Sequence, residues 1–181
     1  MKVIRTEIPD VLILEPKVFG DERGFFLESY NKRAFRDATG LDVEFVQDNH
    51  SSSRRGVLRG LHYQIRQPQG KLVRVTVGEV WDVAVDLRAS SATFGKFVVC
   101  TLDAKSARCL WIPAGFAHGF LVVSDAAEVQ YKTTDYYAPE HERSLLWNDP
   151  ALAIPWPLGG EPILADKDRT GVPLASSERF A

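Results

Sequence analysis

The sequence GVLRGLHYQ at residues 56–64, followed by QGKLVR at residues 69–74, decides the predicted fold. Runs of Val, Leu and Tyr bounded by glycines are typical of buried β-strands. Arg59, His62 and Lys71 stand within these runs, and a charged or titratable group on such a strand must reach water, find a partner or line a cavity. Three such residues so close together favour a cavity. Polar groups satisfied within a sheet are the alternative, and they are common.

The rest of the chain predicts an all-β protein built from short strands. Strand-like segments occur at 43–50, 57–64, 71–78, 80–87, 96–103, 107–112, 117–123 and 127–134. Turn residues separate them at the short spacing that is typical of a sandwich or barrel. The link Gly78-Glu79 predicts a tight hairpin between two of these strands.

Short peripheral elements are expected outside these strands. Apolar runs at 11–19 and 24–30 flank a charged turn. Asn31 is a suitable N-cap for a short helix that ends near Ala38, and Gly40 occupies the C-terminal capping position. We therefore expect two further strands and one helix before the main β region.

Length and composition limit the class of protein. A chain of 181 residues has room for one domain, 1–181, with a sizeable core. From Pro139 onward, Pro, Trp and charged residues replace the strand pattern, which predicts an irregular wrapped tail with one short helix. The net charge is −2 without a basic block, so nucleic acid is not an expected partner. Residues 1–7 lack the apolar run of a signal peptide, and no segment reaches membrane-spanning length.

Cysteine usage points to a reducing compartment. Cys100 and Cys109 are the two cysteines of the chain, and they have neither CxxC spacing nor a secretory context. We expect them to be reduced residues in strands of a cytoplasmic protein.

Alternation along the strands indicates which side chains point inward. Because successive side chains lie on opposite faces of a strand, Lys71 is expected to point inward with Val73, Val75 and Val77. By the same argument Val43 and Phe45 share the face that ends in Gln47 and Asn49. Polar residues at the ends of apolar faces are typical of the mouth of a barrel.

Arg59 and His62 do not follow this alternation together. They have opposite parity, so they can reach one pocket only if Gly60 permits a bend or bulge between them.

Two histidine motifs resemble those of cupins, a family of jelly-roll barrels. They are Gly60-x-His62 and the later Ile112-Pro113-x-Gly115-x-x-His118. A metal-binding cupin offers a second histidine two residues after the first, and this chain has Gln64 there. Borderline metals prefer His, Cys or carboxylate ligands. We therefore predict a cupin-type jelly-roll β-barrel with no metal and no other cofactor.

A closer resemblance covers nearly the whole chain, from residue 8 to about residue 171. The motifs that carry it are FGDERGFF at 19–26, FVQDNHS at 45–51, GVLRGLHYQ at 56–64, QGKLV at 69–73, WIPAGFAHGF at 111–120, YKTTDYY at 131–137 and DKD at 166–168. Together they resemble the dTDP-4-dehydrorhamnose 3,5-epimerases, cupin-fold enzymes of dTDP-L-rhamnose biosynthesis. The resemblance implies a dTDP-4-keto-6-deoxyhexose substrate that is inverted at C3 and C5, each next to the C4 ketone.

The resemblance also implies four catalytic roles. His62 is the base and Tyr131 is the acid on the opposite face of the sugar. Lys71 stabilises the C4 oxygen, and Asp168 orients His62 and favours its charged form. Histidine titrates near neutrality, a carboxylate fixes its tautomer, and a preorganised charge at a developing oxyanion contributes about 3–4 kcal/mol.

Substrate binding is assigned to further residues by the same resemblance. Arg23, Arg59 and Lys167 are expected at the diphosphate, with His118 near the sugar-phosphate and Tyr137 stacked on thymine. The remaining expected substrate contacts are Phe26, Glu28, Gln47, Asp48, Asn49, Lys71 and Glu142. Members of this family are homodimers, so the segment 19–30 is expected to reach into the partner's site.

The sequence is also compatible with several alternatives. A relative that inverts only C3, or that moves the ketone between C3 and C4, would carry similar motifs. A metal-dependent cupin oxygenase and a sugar-binding module without chemistry are rivals of other classes. Within the site, Tyr136 or Tyr137 could replace Tyr131 as the acid, and His118 could be a buried structural residue.

Overall fold

The computed structural model describes residues 1–181, and nearly all of its regular structure is β. The strands are β1 (Lys2–Arg5), β2 (Leu12–Glu15), β3 (Val18–Asp21), β4 (Gly24–Leu27), β5 (Gln47–Arg54), β6 (Leu58–Gln64), β7 (Lys71–Val77), β8 (Glu79–Asp86), β9 (Phe97–Asp103), β10 (Cys109–Ile112), β11 (Phe116–Val122), β12 (Ala126–Thr133) and β13 (Glu142–Ser144). The helices are α1 (Lys32–Thr39) and α2 (Asp166–Arg169), with 3-10 turns at Pro139–His141 and Leu174–Ser176. No helix has the length and apolar character needed to cross a membrane.

The strands form two main antiparallel sheets and a separate ribbon. The six-stranded sheet has the order β1-β2-β10-β7-β12-β5, and the five-stranded sheet has the order β13-β6-β11-β8-β9. β3 and β4 pair only with each other. The non-sequential strand order of two packed sheets is that of a jelly roll. The all-β prediction is confirmed, although the two main sheets are not hydrogen-bonded to each other into a closed barrel.

The principal core lies between the two sheets. Val73 and Val129 enter it from the six-stranded sheet, and Val80, Ala84 and Phe120 enter it from the five-stranded sheet. All five are 4% exposed or less. Burying a Val or Phe side chain contributes about 1.5–3 kcal/mol, so this layer holds the sheets together.

Each sheet has a second apolar cover on its outer face. Phe35 of α1 packs against Leu14 and Trp111 outside the six-stranded sheet. The C-terminal tail covers the other sheet, with Leu145 and Leu152 packed against its outward side chains. The predicted wrapped tail is confirmed in this respect, although its residues 142–144 also form the edge strand β13.

The capped helix is confirmed close to its predicted bounds. The Asn31 side chain accepts a hydrogen bond from the Ala34 amide at 3.1 Å. Gly40 has a φ of 76°, and its amide donates to the Arg36 carbonyl at 2.8 Å. These contacts satisfy backbone groups that a helix end would otherwise leave unpaired.

The predicted hairpin at Gly78-Glu79 is wrong. β7 and β8 belong to different sheets, so the chain crosses between sheets at Gly78 instead of folding back. Gly78 has a φ of 73°, and a Cβ there would lie 1.9 Å from the Ala126 carbonyl oxygen. Glycine is therefore required for a close backbone crossing as well as for its left-handed conformation.

Two predictions of which face of a strand a side chain occupies are also wrong, each for a local reason. The β7–β12 register shifts by one residue between the pairs Val129–Val75 and Glu128–Val77, so Val77 leaves the inward face and is 47% exposed. β5 begins at Gln47 rather than at residue 43. Val43 and Phe45 instead pack against the outer cluster around α1.

Candidate active site

A cavity of about 330 Å³ opens between the ends of the two sheets. Strands of both sheets and two segments of the tail line it. The predicted site residues on its wall are Gln47, Asn49, Arg59, His62, Lys71, His118, Tyr131, Tyr137, Glu142, Lys167 and Asp168. Most of the predicted constellation is therefore assembled within one chain.

A bulge at Gly60 brings Arg59 and His62 to the same cavity. In the pairing of β11 with β6, His118 lies opposite His62 and Phe120 lies opposite Arg59. A step of two residues along β11 therefore matches a step of three residues along β6. The extra residue in β6 resets the alternation, as the sequence required. Gly60 has a φ of 122°, and a Cβ there would lie 2.5 Å from the Gly119 Cα, so only glycine fits.

His62 forms a dyad with Asp168. The His62 Nε2 and Asp168 Oδ1 atoms are 2.5 Å apart. Asp168 is 2% exposed and is presented by α2 in the tail, whereas the His62 side chain keeps 21% exposure toward the cavity. A buried carboxylate at this distance orients the ring and fixes its tautomer.

Lys71 is buried at the base of the cavity. Its Nζ donates to the His62 carbonyl oxygen at 3.3 Å, and the residue is 7% exposed. Burial lowers the pKa of Lys71 to about 8, and the carboxylates of Asp82 and Glu142 oppose part of that shift. The ammonium group retains donor capacity for an oxygen atom in the cavity.

A second histidine–carboxylate pair lies beside Lys71. The His118 Nε2 is 2.9 Å from Asp82 Oδ2 and 3.0 Å from Oδ1, and Asp82 is fully buried. Asp82 was not predicted as a site residue. The sequence did indicate that Asp82 has a special role. It alternates with Val80 and Ala84 on the inward face of β8, and an isolated carboxylate on an apolar face needs a partner.

Tyr131 contributes a hydroxyl group to the wall. It lies on β12 with Val129 on the inward face, next to Val73 of β7. Burial raises the pKa of Tyr131 above its ordinary value, so the phenol is protonated at neutral pH. No protein group forms a hydrogen bond with this hydroxyl, which leaves it available to a ligand.

Charged and aromatic groups surround the mouth. Both oxygens of Glu142 accept from the Lys167 ammonium, at 2.9 and 3.0 Å, and Oε2 also accepts from the Tyr137 hydroxyl at 3.2 Å. Arg59 donates from Nε to the Ser53 hydroxyl at 3.0 Å. Its terminal guanidinium nitrogens make no protein hydrogen bond, so they can meet an anion.

Three predicted binding residues lie outside the cavity of their own chain. Arg23, Phe26 and Glu28 belong to the β3–β4 ribbon and the residues that follow it. Arg23 pairs with Asp21 at 2.5 Å, and Phe26 is 69% exposed. The prediction that they serve a partner's site stays a prediction.

The predicted binding role of the Asp48 side chain is not supported by its placement. Alternation along β5 directs Gln47 and Asn49 to the cavity and Asp48 to the opposite face of the sheet. There Asp48 accepts from Lys132 at 2.8 and 3.0 Å. The carboxylate therefore faces away from the cavity, and the predicted role of Asp48 in substrate binding stays a prediction.

The side chains of the cavity wall do not form a metal-ligand set. No group of three or more His, Cys, Asp or Glu side chains is arranged to hold a metal ion. Gln64, at the position of a cupin metal ligand, is 4% exposed, and its amide is hydrogen-bonded to backbone groups. The prediction of a metal-free site stays a prediction.

The fold is a two-sheet jelly roll. Its cavity contains a histidine–carboxylate dyad, a buried lysine and a free tyrosine hydroxyl. Together they define a cupin-fold site for acid–base chemistry. A family model described as dTDP-4-dehydrorhamnose 3,5-epimerase matches residues 5–176. The chain belongs to this family of isomerases.

Individual relatives agree with that assignment. The dTDP-4-dehydrorhamnose 3,5-epimerase of Pseudomonas aeruginosa is 64% identical over 180 residues, which cover 99% of each chain. The solved Legionella pneumophila dTDP-6-deoxy-D-glucose-3,5-epimerase, in complex with dTDP-4-keto-L-rhamnose, superposes with a TM-score of 0.96 at 51% identity, covering 98% of this chain and 94% of that one. A 3'-monoepimerase from Streptomyces bikiniensis in complex with dTDP-quinovose is 36% identical, with a TM-score of 0.90 and coverage of 97% and 88%.

Proposed function

We propose that the chain converts dTDP-4-dehydro-6-deoxy-D-glucose to dTDP-4-dehydro-L-rhamnose by inverting C3 and C5. The observation that carries the proposal is the convergence of His62, Lys71 and Tyr131 on one cavity. Inversion next to a ketone needs a base, an acid on the opposite face and a positive group for the enolate oxygen. These three side chains supply those groups.

Proton removal is the role of His62. Neutral His62 takes the proton from the carbon next to the ketone, and the resulting imidazolium is stabilised by Asp168 at 2.5 Å. A positioned general base is typically worth ~10²–10⁴ in rate. The electrons of the broken C–H bond pass to the C4 oxygen, which becomes an enolate.

The protonated form of Lys71 stabilises that enolate oxygen. The group is fixed by burial and by its bond to the His62 carbonyl, so little reorganisation is needed as the charge develops. A preorganised donor of this kind contributes about 3–4 kcal/mol to the transition state. Tyr131 then donates its proton to the opposite face of the carbon, which completes one inversion.

The dTDP group binds toward the mouth of the cavity. Arg59 and Lys167 are the cations that meet the diphosphate, and the exposed ring of Tyr137 stacks on thymine. Gln47 and Asn49 present amide groups to polar atoms of the ligand. His118, held by Asp82, lies deeper and meets the sugar end.

The C3 monoepimerase is the second candidate function, because a solved enzyme with that activity shares this fold. Offering the 4-keto sugar nucleotide in deuterated water distinguishes the two functions. Deuterium at both C3 and C5 of the product supports the double epimerase. Deuterium at C3 alone supports the monoepimerase, and incorporation at neither carbon contradicts both.

We propose that the active form is a homodimer in which residues 19–30 of one chain complete the site of the other. The ribbon exposes large apolar side chains, with Phe25 at 73% and Phe26 at 69%. Exposed aromatic side chains of this size are typical of an interaction surface. The ribbon also carries Arg23, a cation that a diphosphate could use.

The absence of a metal requirement and the cytoplasmic location are further proposals. Gln64 supports the first, because its amide already serves backbone groups. The free thiols of Cys100 and Cys109 fit the second. Activity that survives dialysis against a chelator is the expected result for the first. Loss of activity that returns on adding one metal ion per chain would contradict it.

A further inference from the structure

We propose that Gln64 is a positioning residue for nucleotide recognition, which acts by fixing the backbone that presents Tyr137 at the mouth of the cavity. This inference rests on the proposed function, in which Tyr137 stacks on thymine. Gln64 occupies the place of a cupin metal ligand, and its amide makes a different set of bonds.

Both ends of the Gln64 amide are used. The Oε1 atom accepts from the Ala138 amide at 2.9 Å, and Nε2 donates to the Tyr136 carbonyl at 3.2 Å and to the Gln67 carbonyl at 2.8 Å. The acceptor end faces an N–H group and the donor end faces two carbonyls, so the orientation of the amide is determined by its partners. The side chain thus holds the residues on both sides of Tyr137.

Gln47 holds Tyr137 itself. Its Oε1 accepts from the Tyr137 amide at 3.0 Å, while its Nε2 donates to Asn49 at 2.9 Å. Gln47 lies on β5 of the six-stranded sheet and Gln64 lies on β6 of the five-stranded sheet. The segment 136–138 is therefore tied to both sheets across the open end of the cavity.

These side chains replace the backbone pairing that the segment lacks. The only backbone–backbone hydrogen bond of residues 136–138 runs from the His141 amide to the Ala138 carbonyl. Tyr136 and Tyr137 are 60% and 51% exposed as whole residues, so packing restrains them weakly. Without the Gln64 amide, binding of a nucleotide would have to order this segment, and that ordering reduces affinity.

The first test compares Gln64→Met with Gln67→Met. Methionine keeps the approximate volume and neutrality of glutamine but removes the amide. Gln67 is an exposed residue of the adjacent turn that contributes only its backbone carbonyl to the cluster, so it is the matched control. We expect Gln64→Met to weaken dTDP binding by calorimetry and to raise KM by about 10-fold, within the range that base stacking supplies. Turnover at saturating substrate should stay within ~3-fold, and Gln67→Met should match wild type.

A double-mutant cycle with Tyr137→Ala separates positioning from a general structural effect. If Gln64 acts through Tyr137, Gln64→Met should weaken dTDP binding no further on the Tyr137→Ala background. An equal effect on both backgrounds would overturn the inference. Binding of inorganic pyrophosphate, which has no base to stack, should be nearly the same in wild type and Gln64→Met.

Gln64→Glu covers the case in which Gln64→Met fails to fold. A carboxylate retains the acceptor for Ala138 but repels the two carbonyls, and burial raises the pKa of such a group so that it can donate once protonated. Its dTDP affinity relative to wild type should therefore recover as the pH falls, and a constant ratio would overturn the inference. Failure of wild type to bind dTDP would instead overturn the proposed function. Tight binding by wild type and Gln64→Met alike would overturn only the role of Gln64.

Discussion

His62 and His118 are cross-strand partners, and each is hydrogen-bonded to a different buried aspartate. The Asp168 partner of His62 comes from the tail, and the Asp82 partner of His118 comes from β8. The two rings differ in access, because the His62 side chain is 21% exposed and the His118 side chain is 8% exposed. This difference favours His62 as the ring that exchanges protons with a substrate.

Replacing His62 by alanine should abolish epimerisation with little effect on nucleotide binding. Loss of a general base is expected to reduce turnover by ~10² or more. The affinity for dTDP, measured by calorimetry, should stay within ~3-fold. Asp168→Asn is the companion variant, since it keeps the size of the partner and removes its charge, and it should lie between wild type and His62→Ala. If His62→Ala retains more than about a tenth of wild-type turnover, His62 is not the base.

Tyr131→Phe should separate proton exchange from inversion. The substitution removes only the hydroxyl and keeps the packing of the ring, so His62 can still remove protons and Lys71 can still hold the enolate. Reprotonation then returns from His62 to the original face. We expect deuterium uptake, followed by mass spectrometry, to be faster than formation of the inverted sugar, followed by NMR. Inversion at the wild-type rate would move the acid role to Tyr136 or Tyr137.

Activity should fall as the pH rises through about 8, because burial lowers the pKa of Lys71 to about 8. The protonated amine, which stabilises the enolate, is the form present below that pKa. The dependence of kcat/KM on pH reports the free enzyme, so its alkaline limb is the measurement. The pKa of Tyr131 is raised, which makes Tyr131 an unsuitable source of this limb. Lys71→Arg should retain some activity and move the alkaline limb to higher pH, since arginine stays charged. If the limb does not move, it reports the titration of a different group.

Mixing two inactive variants should restore activity if the ribbon completes a partner's site. Arg23→Ala damages the donated segment, and His62→Ala damages the receiving cavity. A mixed dimer of the two chains contains one site with an intact ribbon and an intact cavity. We therefore expect partial recovery after the proteins are mixed, unfolded and refolded together. His62→Ala mixed with Asp168→Ala is the control, because both changes lie in the same cavity and every mixed site stays damaged. Equal behaviour of the two mixtures would contradict strand exchange.

Local patterns were sufficient to predict most of the fold. The alternation of apolar and polar residues located the strands from β6 to β12 within a few residues, and Asn31 and Gly40 located α1. The hairpin at Gly78 was predicted wrongly because a glycine turn between two strands looks the same whether the chain folds back or crosses to another sheet. That choice depends on distant partners, here β12 for β7 and β9 for β8.

The site was predictable to the extent that motifs carry it. The motifs supplied His62, Lys71, Tyr131 and Asp168, and the parity conflict at Arg59 required the bulge that the structure contains. Parity alone also favoured Gln47 and Asn49 over Asp48 for a shared face. The hydrogen bonds of Asp82 and Gln64 were beyond sequence reasoning, because their partners are on strands and loops whose contact is set by packing.

The position of Asp168 has a consequence for the order in which the protein becomes active during its synthesis. His62 and Asp168 are separated by 106 residues. Ribosomes add residues from the N-terminus to the C-terminus, at about 5–20 per second. Because α2 follows β13 in the chain, all thirteen strands leave the ribosome before the carboxylate that completes the dyad. A chain released before α2 contains His62, Lys71 and Tyr131 but lacks both Lys167 and Asp168. Such a chain cannot assemble the complete proton-transfer site, so prematurely released copies are not competent to process the sugar nucleotide by the proposed mechanism.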